Sequence, residues 1–221
     1  MAASYFDVDG TLVSVNLVDP TLFYLMNQAT PMQSARRFAA AAVKAPAMAL
    51  AELVDRRTFN ELLFSAYGGM SEDRLLHLSH ELFERRLKPA LYRDAPDLVR
   101  KCRTAGHQIV LVSGMLDFVL APLAEYLGGC DVICNRLEMK DGVATGKLLV
   151  PVIAGPEKAR QVRAHARRHQ HELDDCHAFS DSYSDVPMLS VVGHPAAVNP
   201  SPRLALLARA YSWPTFRLSK K

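Results

Sequence analysis

Cysteine is scarce and unpatterned in this chain. Its four residues, Cys102, Cys130, Cys134 and Cys176, form no CxxC spacing, so no metal-binding or redox pair is signalled and they read as reduced thiols packed as small hydrophobes. Long apolar runs are also missing. The most membrane-like stretch, Phe38 to Val54, is interrupted by Lys44, Pro46 and Glu52 and falls short of the roughly 20 residues a span needs, which excludes a transmembrane helix but leaves an interfacial one open. Strong charge imbalance is lacking as well: the net charge is +3, too mild to argue for nucleic acid, and no nucleic-acid partner is expected. No internal repeat or low-complexity tail is present, and the N-terminus is not signal-like. A cytoplasmic protein is expected, with contact at the inner face of a membrane left open.

What remains is ordinary soluble composition. The 221 residues are 49% hydrophobic and 22% charged, enough for one substantial core and a smaller inserted unit. Basic residues cluster at Arg36-Arg37, Arg56-Arg57, Arg85-Arg86-Lys88 and from Arg160 to Arg168. Such clusters usually mark solvated helix faces, though anionic substrates or lipid surfaces can use them.

The informative stretch is Tyr5-Phe6-Asp7-Val8-Asp9-Gly10-Thr11-Leu12-Val13. A short apolar run ends in two aspartates at i and i+2, which share one side of a strand. At the carboxyl end of a parallel strand, where ligands of open α/β sheets bind, Asp7 and Asp9 can converge on one spot. Carboxylates brought together repel unless they share a cation or a proton, and Mg²⁺, which prefers oxygen ligands, suits such a place.

From Leu17 to about residue 90 the pattern is helical throughout. Leu17 to Gln28 is followed by an alanine-rich helix from Met32 to Val54, which Pro46 should kink or divide. Arg57 to Ala66 ends at Gly68-Gly69, and Ser71 is the expected N-cap of a helix running to Leu87 before Pro89. Beyond it, alternation of helices and strands resumes. A helix from Ala95 to Thr104 precedes the strand Gln108 to Val112, which terminates at Ser113-Gly114. Then follow a helix over 117–126, a strand over Asp131 to Cys134, and a hairpin about Asp141-Gly142. Gly155-Pro156 opens a basic helix. Strands are expected at Cys176 to Ser180 and Ala196 to Val198, and Ser201-Pro202 caps a last helix before Trp213-Pro214 at a final edge strand. The expected fold is α/β, a doubly wound, mainly parallel sheet formed by 1–15 and 91–221, with a helical cap over 16–90.

Three later features fall at strand ends, where the aspartates need partners. Ser113-Gly114 offers a hydroxyl and an unhindered N–H to an anion. Lys158 lies near a helix N-terminus, where ammonium and dipole both favour one. Asp181 and Asp185 flank a tight turn that can bring a third carboxylate to a metal. Taken singly these read as a turn, a surface lysine and a helix cap; it is their order and common placement that is informative.

In these motifs the chain resembles the haloacid dehalogenase-like phosphohydrolases over its whole length: FDVDGTLV, VSG at 112–114, Lys158 and SDSYSD at 180–185. The large helical insertion resembles the phosphoserine phosphatase-like subgroup with a C1-type cap. The resemblance implies a phosphatase in which Asp7 is the nucleophile and forms an aspartyl-phosphate, while Asp9 protonates the leaving oxygen and later deprotonates water. It implies Mg²⁺ held by Asp7, by the main-chain carbonyl of Asp9 and by Asp181, with Asp185 orienting that site. Ser113, Gly114 and Lys158 would bind the phosphoryl group. Asp9 favours ester chemistry over dehalogenation, because an alkoxide needs a proton and a halide does not. Phosphotransfer to another acceptor, and an idle protein that docks on membranes or a partner, are the alternatives.

The substrate is expected to be a phosphorylated small molecule or lipid, chosen by the cap. Phosphoserine phosphatases carry a glutamate nine residues after the nucleophile, where this chain has Asn16, and Phe64 aligns with their carboxylate-gripping arginine. Both departures argue against phosphoserine. The segment from Ser34 to Val54, then FSAYGGM at 64–70 and SDSYSDVPML, resemble phosphatidylglycerophosphatase C and phosphatase domains fused to glycerolipid acyltransferases. An amphipathic cap with Arg36, Arg37, Lys44, Arg56 and Arg57 could rest on anionic lipid; equally, its apolar residues could pack the cap's own bundle. His165 and His169 have zinc-like i, i+4 spacing but lie among Arg163, Arg167 and Arg168, and read as a solvated basic face. His169 and Asp174 match an acyltransferase spacing by coincidence.

Overall fold

The computed structural model describes residues 2–220, apart from the side chains at positions 52 and 53. Its frame is a sheet of six strands, all parallel: β1 (Ala3–Phe6), β2 (Gln108–Leu116), β3 (Asp131–Asn135), β6 (His177–Ser180), β7 (His194–Val198) and the short β8 (Thr215–Phe216), in the spatial order β3-β2-β1-β6-β7-β8. The hairpin of β4 (Leu137–Lys140) and β5 (Val143–Leu148) stands apart as its own two-stranded sheet. β1 is fully buried, as a central parallel strand covered on both faces must be. Alternate residues serve opposite faces. Phe6, Ile109, Leu111 and Phe179 join one apolar cluster, while Tyr5, Val110, Val112 and Ala178 join the other. Because the chain winds outward from β1 in both directions, the strand order reverses there, and the carboxyl end of β1 is the switch point of the sheet.

Between β1 and β2 lies the helical insertion. It comprises α1 (Val18–Met26), α2 (Pro31–Val54), α3 (Arg56–Phe64) and α4 (Glu72–Leu82), with a 3-10 turn at Ser65–Tyr67. Its two connections to the core run side by side: Val13 bridges Leu91, Ser14 N–H donates to Ala90 O, and Tyr92 N–H donates to Leu12 O. Tyr24 and Tyr67 pack against Phe118 of α6 (Asp117–Tyr126), with ring centroids 5.3 and 5.9 Å apart. The hairpin grips the other side, Gly69 N–H donating to Ala144 O and Ala144 N–H to Met70 O. The remaining helices are α5 (Ala95–Thr104), between the insertion and β2, then α7 (Pro156–Arg168), α8 (Val186–Leu189) and α9 (Pro202–Ala210).

Four local expectations are corrected. Pro46 does not divide α2, which is continuous over its 24 residues; the proline is exposed, so the carbonyl it leaves without a partner can turn to water. The helix before Pro89 does not stop at Leu87. A π-helical turn over Phe83–Leu87 resets the hydrogen-bond pattern, and Pro89 falls in the first turn of a further segment, Lys88–Ala90, where no N–H is needed. β2 runs on through Ser113 and Gly114 to Leu116, with a register shift against β3 between Val112 and Leu116. Ser71 and Ser201 occupy N-cap positions but make no side-chain capping bond; Thr30 and Asp55 do, on α2 and α3. The four cysteines are free. Among the described residues no helix is long and apolar enough to cross a membrane.

Candidate active site

The β1 strand ends at Phe6, and the next residues turn over its carboxyl edge. Asp7 N–H still pairs with Phe179 O of β6 (2.9 Å), which pins Asp7 at the switch point. Its carboxylate is buried and held at both oxygens: Oδ1 by Lys158 Nζ at 2.6 Å, Oδ2 by the Thr11 hydroxyl at 3.0 Å. Lys158, in the first turn of α7, also reaches Asp185 Oδ2 at 2.8 Å. Asp185 is oriented in turn by the buried Ser180 hydroxyl, 2.8 Å away. Asp9 Oδ2 accepts from Ser113 Oγ at 2.9 Å; the same Ser113 oxygen accepts Met115 N–H at 2.9 Å. The irregular stretch of β2 thus aims Ser113 at the site.

Asp181 comes in over Gly10. The Thr11 hydroxyl accepts Asp181 N–H (2.9 Å) and lies 3.2 Å from Asp181 Oδ1. Its single hydrogen can serve only one carboxylate at a time, Asp7 or Asp181. The approach is close because residue 10 lacks a side chain. Gly10 has φ +79°, and a Cβ there would lie 2.3 Å from Asp181 Oδ2. Gly114 has a related role: its Cβ would sit 3.2 Å from Asn60 Nδ2 of the cap.

Four carboxylates therefore surround one buried ammonium. Burial raises Asp7 well above the carboxylate range, with Lys158 opposing and Asp185, Asp9 and Asp181 adding to the rise. Burial likewise pushes Asp9 up to about 6, against Lys158, the Ser113 hydroxyl and Arg56. Asp181 is pushed up to about 6 by burial and then by Asp185. Burial works against the charge of Lys158, but Asp185 and Asp7 outweigh it and the ammonium is stabilised above the usual lysine value. Among the described residues, the buried Asp9 Oδ1 has no hydrogen-bond partner. An all-oxygen donor set with excess negative charge and an unpaired oxygen fits a divalent cation such as Mg²⁺.

All seven residues singled out in the sequence (Asp7, Asp9, Ser113, Gly114, Lys158, Asp181 and Asp185) thus meet at one sheet edge. An inner cavity of about 30 Å³ is lined by Asp7, Asp9, Gly114, Lys158 and Asp185, and on the cap side by Leu17, Arg56 and Asn60. It meets an outer groove of about 790 Å³ through Arg56, Ala154, Gly155 and Ser184. Thr11, Arg56 and Asn60 are site residues that the motif reading passed over. Arg56 and Asn60 are four apart on one helix and so share a face, a spacing legible in the sequence. Asn60 is buried, and its Oδ1 lacks a partner among the described residues.

The two cap positions used to argue against phosphoserine lie elsewhere. Phe64 is buried in the apolar core of the cap, and Asn16 caps α1 by accepting Val18 N–H at 3.0 Å. Arg56 lines the cavity from the cap side, its guanidinium over the Phe59 ring and close enough to lower the Asp9 pKa, so the absence of arginine at position 64 does not leave the cap side without a cation.

Replacing Gly10 by alanine tests the close approach of Asp181. The left-handed backbone alone should lower the unfolding free energy by about 1–2 kcal/mol, and the clash adds to it. Urea denaturation of Gly10→Ala reads the change; wild-type stability would contradict the packing described here.

Comparison with known proteins agrees with the geometry. The sequence profile of the haloacid dehalogenase-like hydrolases matches residues 5–190. Phosphoserine phosphatase SerB1 of Mycobacterium tuberculosis is 35% identical over 155 residues, 69% of this chain and 50% of that protein. The inhibition of morphological differentiation protein of Streptomyces azureus is 38% identical over 136 residues, 61% of this chain and 47% of that one. The chain thus spans about half the length of these curated relatives. A protein of unknown function from Bordetella pertussis Tohama I superposes with a TM-score of 0.82 at 26% identity, covering 97% of both chains. An apo phosphoserine phosphatase shares the fold at TM-score 0.70 and 18% identity, over 100% of this chain and 94% of that one. With its profile match, its parallel sheet and its helical insertion after β1, this chain belongs to the haloacid dehalogenase-like hydrolases.

Proposed function

We propose that this protein is a Mg²⁺-dependent phosphomonoesterase that forms an aspartyl-phosphate on Asp7 and acts on a small, polar phosphate ester of the phosphoserine kind. The observation that carries the reading is the convergence of Asp7, Asp9, Asp181 and Lys158 at the carboxyl end of β1. Lys158 and Thr11 hold the Asp7 carboxylate in one orientation, as an in-line nucleophile requires. An Asp7 oxygen attacks phosphorus, the bond from phosphorus to the ester oxygen breaks, and Asp9 gives its proton to the departing alkoxide. Water then attacks the same phosphorus and passes a proton to Asp9; the bond to Asp7 breaks and inorganic phosphate leaves. Ser113, the Gly114 N–H and Lys158 hold the phosphoryl oxygens. The carboxylates of Asp7 and Asp181 and the main-chain carbonyl of Asp9 would hold Mg²⁺, which when bound neutralises phosphoryl charge.

The test is Asp7→Asn assayed on an aryl phosphate with Mg²⁺. Turnover should fall at least a thousand-fold while the circular dichroism stays native, and substantial residual hydrolysis by the folded variant contradicts covalent catalysis by Asp7.

For the substrate, the narrow inner cavity and its cap-side groups support a compact ligand. Arg56 can meet a carboxylate, and the unpaired Asn60 Oδ1 can accept from an ammonium or hydroxyl. The relative from Mycobacterium tuberculosis that is 35% identical is a phosphoserine phosphatase by name, which supports the same reading. A lipid phosphate is the second reading, favoured by the exposed Met32, Phe38, Val43 and Leu50 on α2. Two cations expected to meet lipid are engaged within the cap: Arg37 donates to Ala66 O and Gly68 O, and Lys44 donates to Ser65 Oγ. The two readings separate in a panel of phosphoserine, glycerol 3-phosphate, lysophosphatidate and phosphatidylglycerophosphate, with and without anionic vesicles. Phosphoserine should be preferred, and Arg56→Ala should raise its KM about tenfold or more, the scale of a charged hydrogen bond. Faster turnover of the lipids on vesicles, unaffected by Arg56→Ala, would favour the lipid.

A further inference from the structure

Six of the eight histidines lie outside the catalytic edge and the cap: 107, 165, 169, 171, 177 and 194. Three of them gather with an aspartate at the opposite, amino-terminal end of the sheet. α7 runs antiparallel to the strands, so while its first turn brings Lys158 to the catalytic edge, its last turns bring His165 and His169 to the start of β2 and β3. Spaced i and i+4, they share one face of the helix. Of the solvated face expected from the flanking arginines, His169 is part, exposed at its side chain, but His165 is not. His165 is 3% exposed, and Arg163, Arg167 and Arg168 point outward.

From this arrangement we propose that Asp131, His165 and His169 form a second metal site, for a Zn²⁺-class transition-metal ion, separate from the catalytic carboxylates. Asp131 Oδ2 lies 3.1 Å from His165 Nε2 and 4.0 Å from His169 Nε2, and the three ligand atoms all fall within 4.8 Å of one another. Tetrahedral zinc with bonds near 2.1 Å requires ligand atoms roughly 3.4 Å apart. The His165 and His169 rings are stacked, 4.3 Å between centroids and 19° between planes, so binding requires the His169 ring to turn until its Nε2 faces the ion; 40% exposed at its side chain, His169 is able to do so. Two imidazoles and one carboxylate leave a fourth position open to water. That donor set suits zinc and its neighbours rather than Mg²⁺, which takes oxygen.

The groups behind these ligands are those a metal site uses. Gln108 Nε2 donates to Asp131 Oδ2 at 2.5 Å, and the other end of that amide meets His171 Nε2 at 2.6 Å. The Tyr5 hydroxyl lies 3.1 Å from His165 Nδ1. When the ring proton sits on Nδ1 the phenol oxygen accepts it, and Nε2 is free for the metal. A bound ion would tie the end of α7 to β3. Since α7 also carries Lys158 seven residues earlier, roughly 10 Å along the helix, the tie would fix the helix that positions the catalytic ammonium.

Zn²⁺ titration of the full chain by calorimetry, in excess Mg²⁺, tests the proposal. Wild type and Asp181→Asn should each bind one Zn²⁺ at this site with the same micromolar or better affinity. Asp131→Asn and His169→Gln should bind it at least tenfold more weakly, and His169→Gln, altering an exposed ring, should keep the metal-free melting temperature of wild type. Zn²⁺ should raise the melting temperature of wild type and not of His169→Gln. Equal Zn²⁺ affinity in wild type and His169→Gln would overturn the proposal, as would loss of all Zn²⁺ binding in Asp181→Asn, which would place the ion at the catalytic carboxylates.

Discussion

The buried contacts of Lys158 with Asp7 and Asp185, at 2.6 and 2.8 Å, organise the functional end of this molecule. An ammonium and two carboxylates taken out of water are costly, and breaking such a set by removing one partner typically costs about 3–5 kcal/mol. The contacts bind three distant parts of the chain, namely the turn after β1, the start of α7 and the turn after β6. They leave Asp9 and Asp181 as further negative charges beside a site already rich in them. That surplus, together with the unpaired Asp9 Oδ1, is the physical reason the site suits a cation and a phosphoryl group jointly, each offsetting the charge the other brings.

The sheet supplies the positions and the cap supplies the walls. A parallel order that reverses at β1 puts the ends of β1, β2 and β6 at one edge, so Asp7, Ser113 and Asp181 are neighbours without any of them being close in sequence. The cap is fastened by aromatic packing on Phe118 and by backbone bonds to the hairpin. It reaches over the site through α3, whose first turns present Arg56 and Asn60. Gly114 permits that approach, as Gly10 permits the approach of Asp181. Specificity and chemistry thus meet across a narrow cavity whose two sides come from separate layers.

Much of this was legible in the residues. The apolar run into Asp7-Val8-Asp9-Gly10 marks a buried strand and a turn, and the strand-end placement of Ser113, Lys158 and Asp181 foretells their meeting, because parallel topology obliges it. Less legible were features decided by tertiary context. Pro46 leaves α2 intact because it faces solvent, and Pro89 is absorbed by a π-turn. His165 is buried among Tyr5, Asp131 and the sheet edge although arginines surround it in sequence. Which cap residues line the cavity is also decided by tertiary context: Phe64 packs in the apolar core, because a short alignment cannot tell which helical turn faces the cavity. The i, i+4 pair Arg56 and Asn60 lines it instead, and the four-residue spacing alone could not say which of several such pairs does so.

The central claim is that Asp7 carries the phosphoryl group between substrate and water. The direct measurement is acid quenching of the enzyme during turnover of a radiolabelled phosphomonoester, followed by peptide mapping. The account predicts label on the protein in a linkage that hydroxylamine cleaves, located in the peptide containing Asp7 and chased off as free phosphate. Steady release of phosphate with no labelled protein at any quench time, under conditions where phosphate release is slowed enough to accumulate a covalent species, would contradict it.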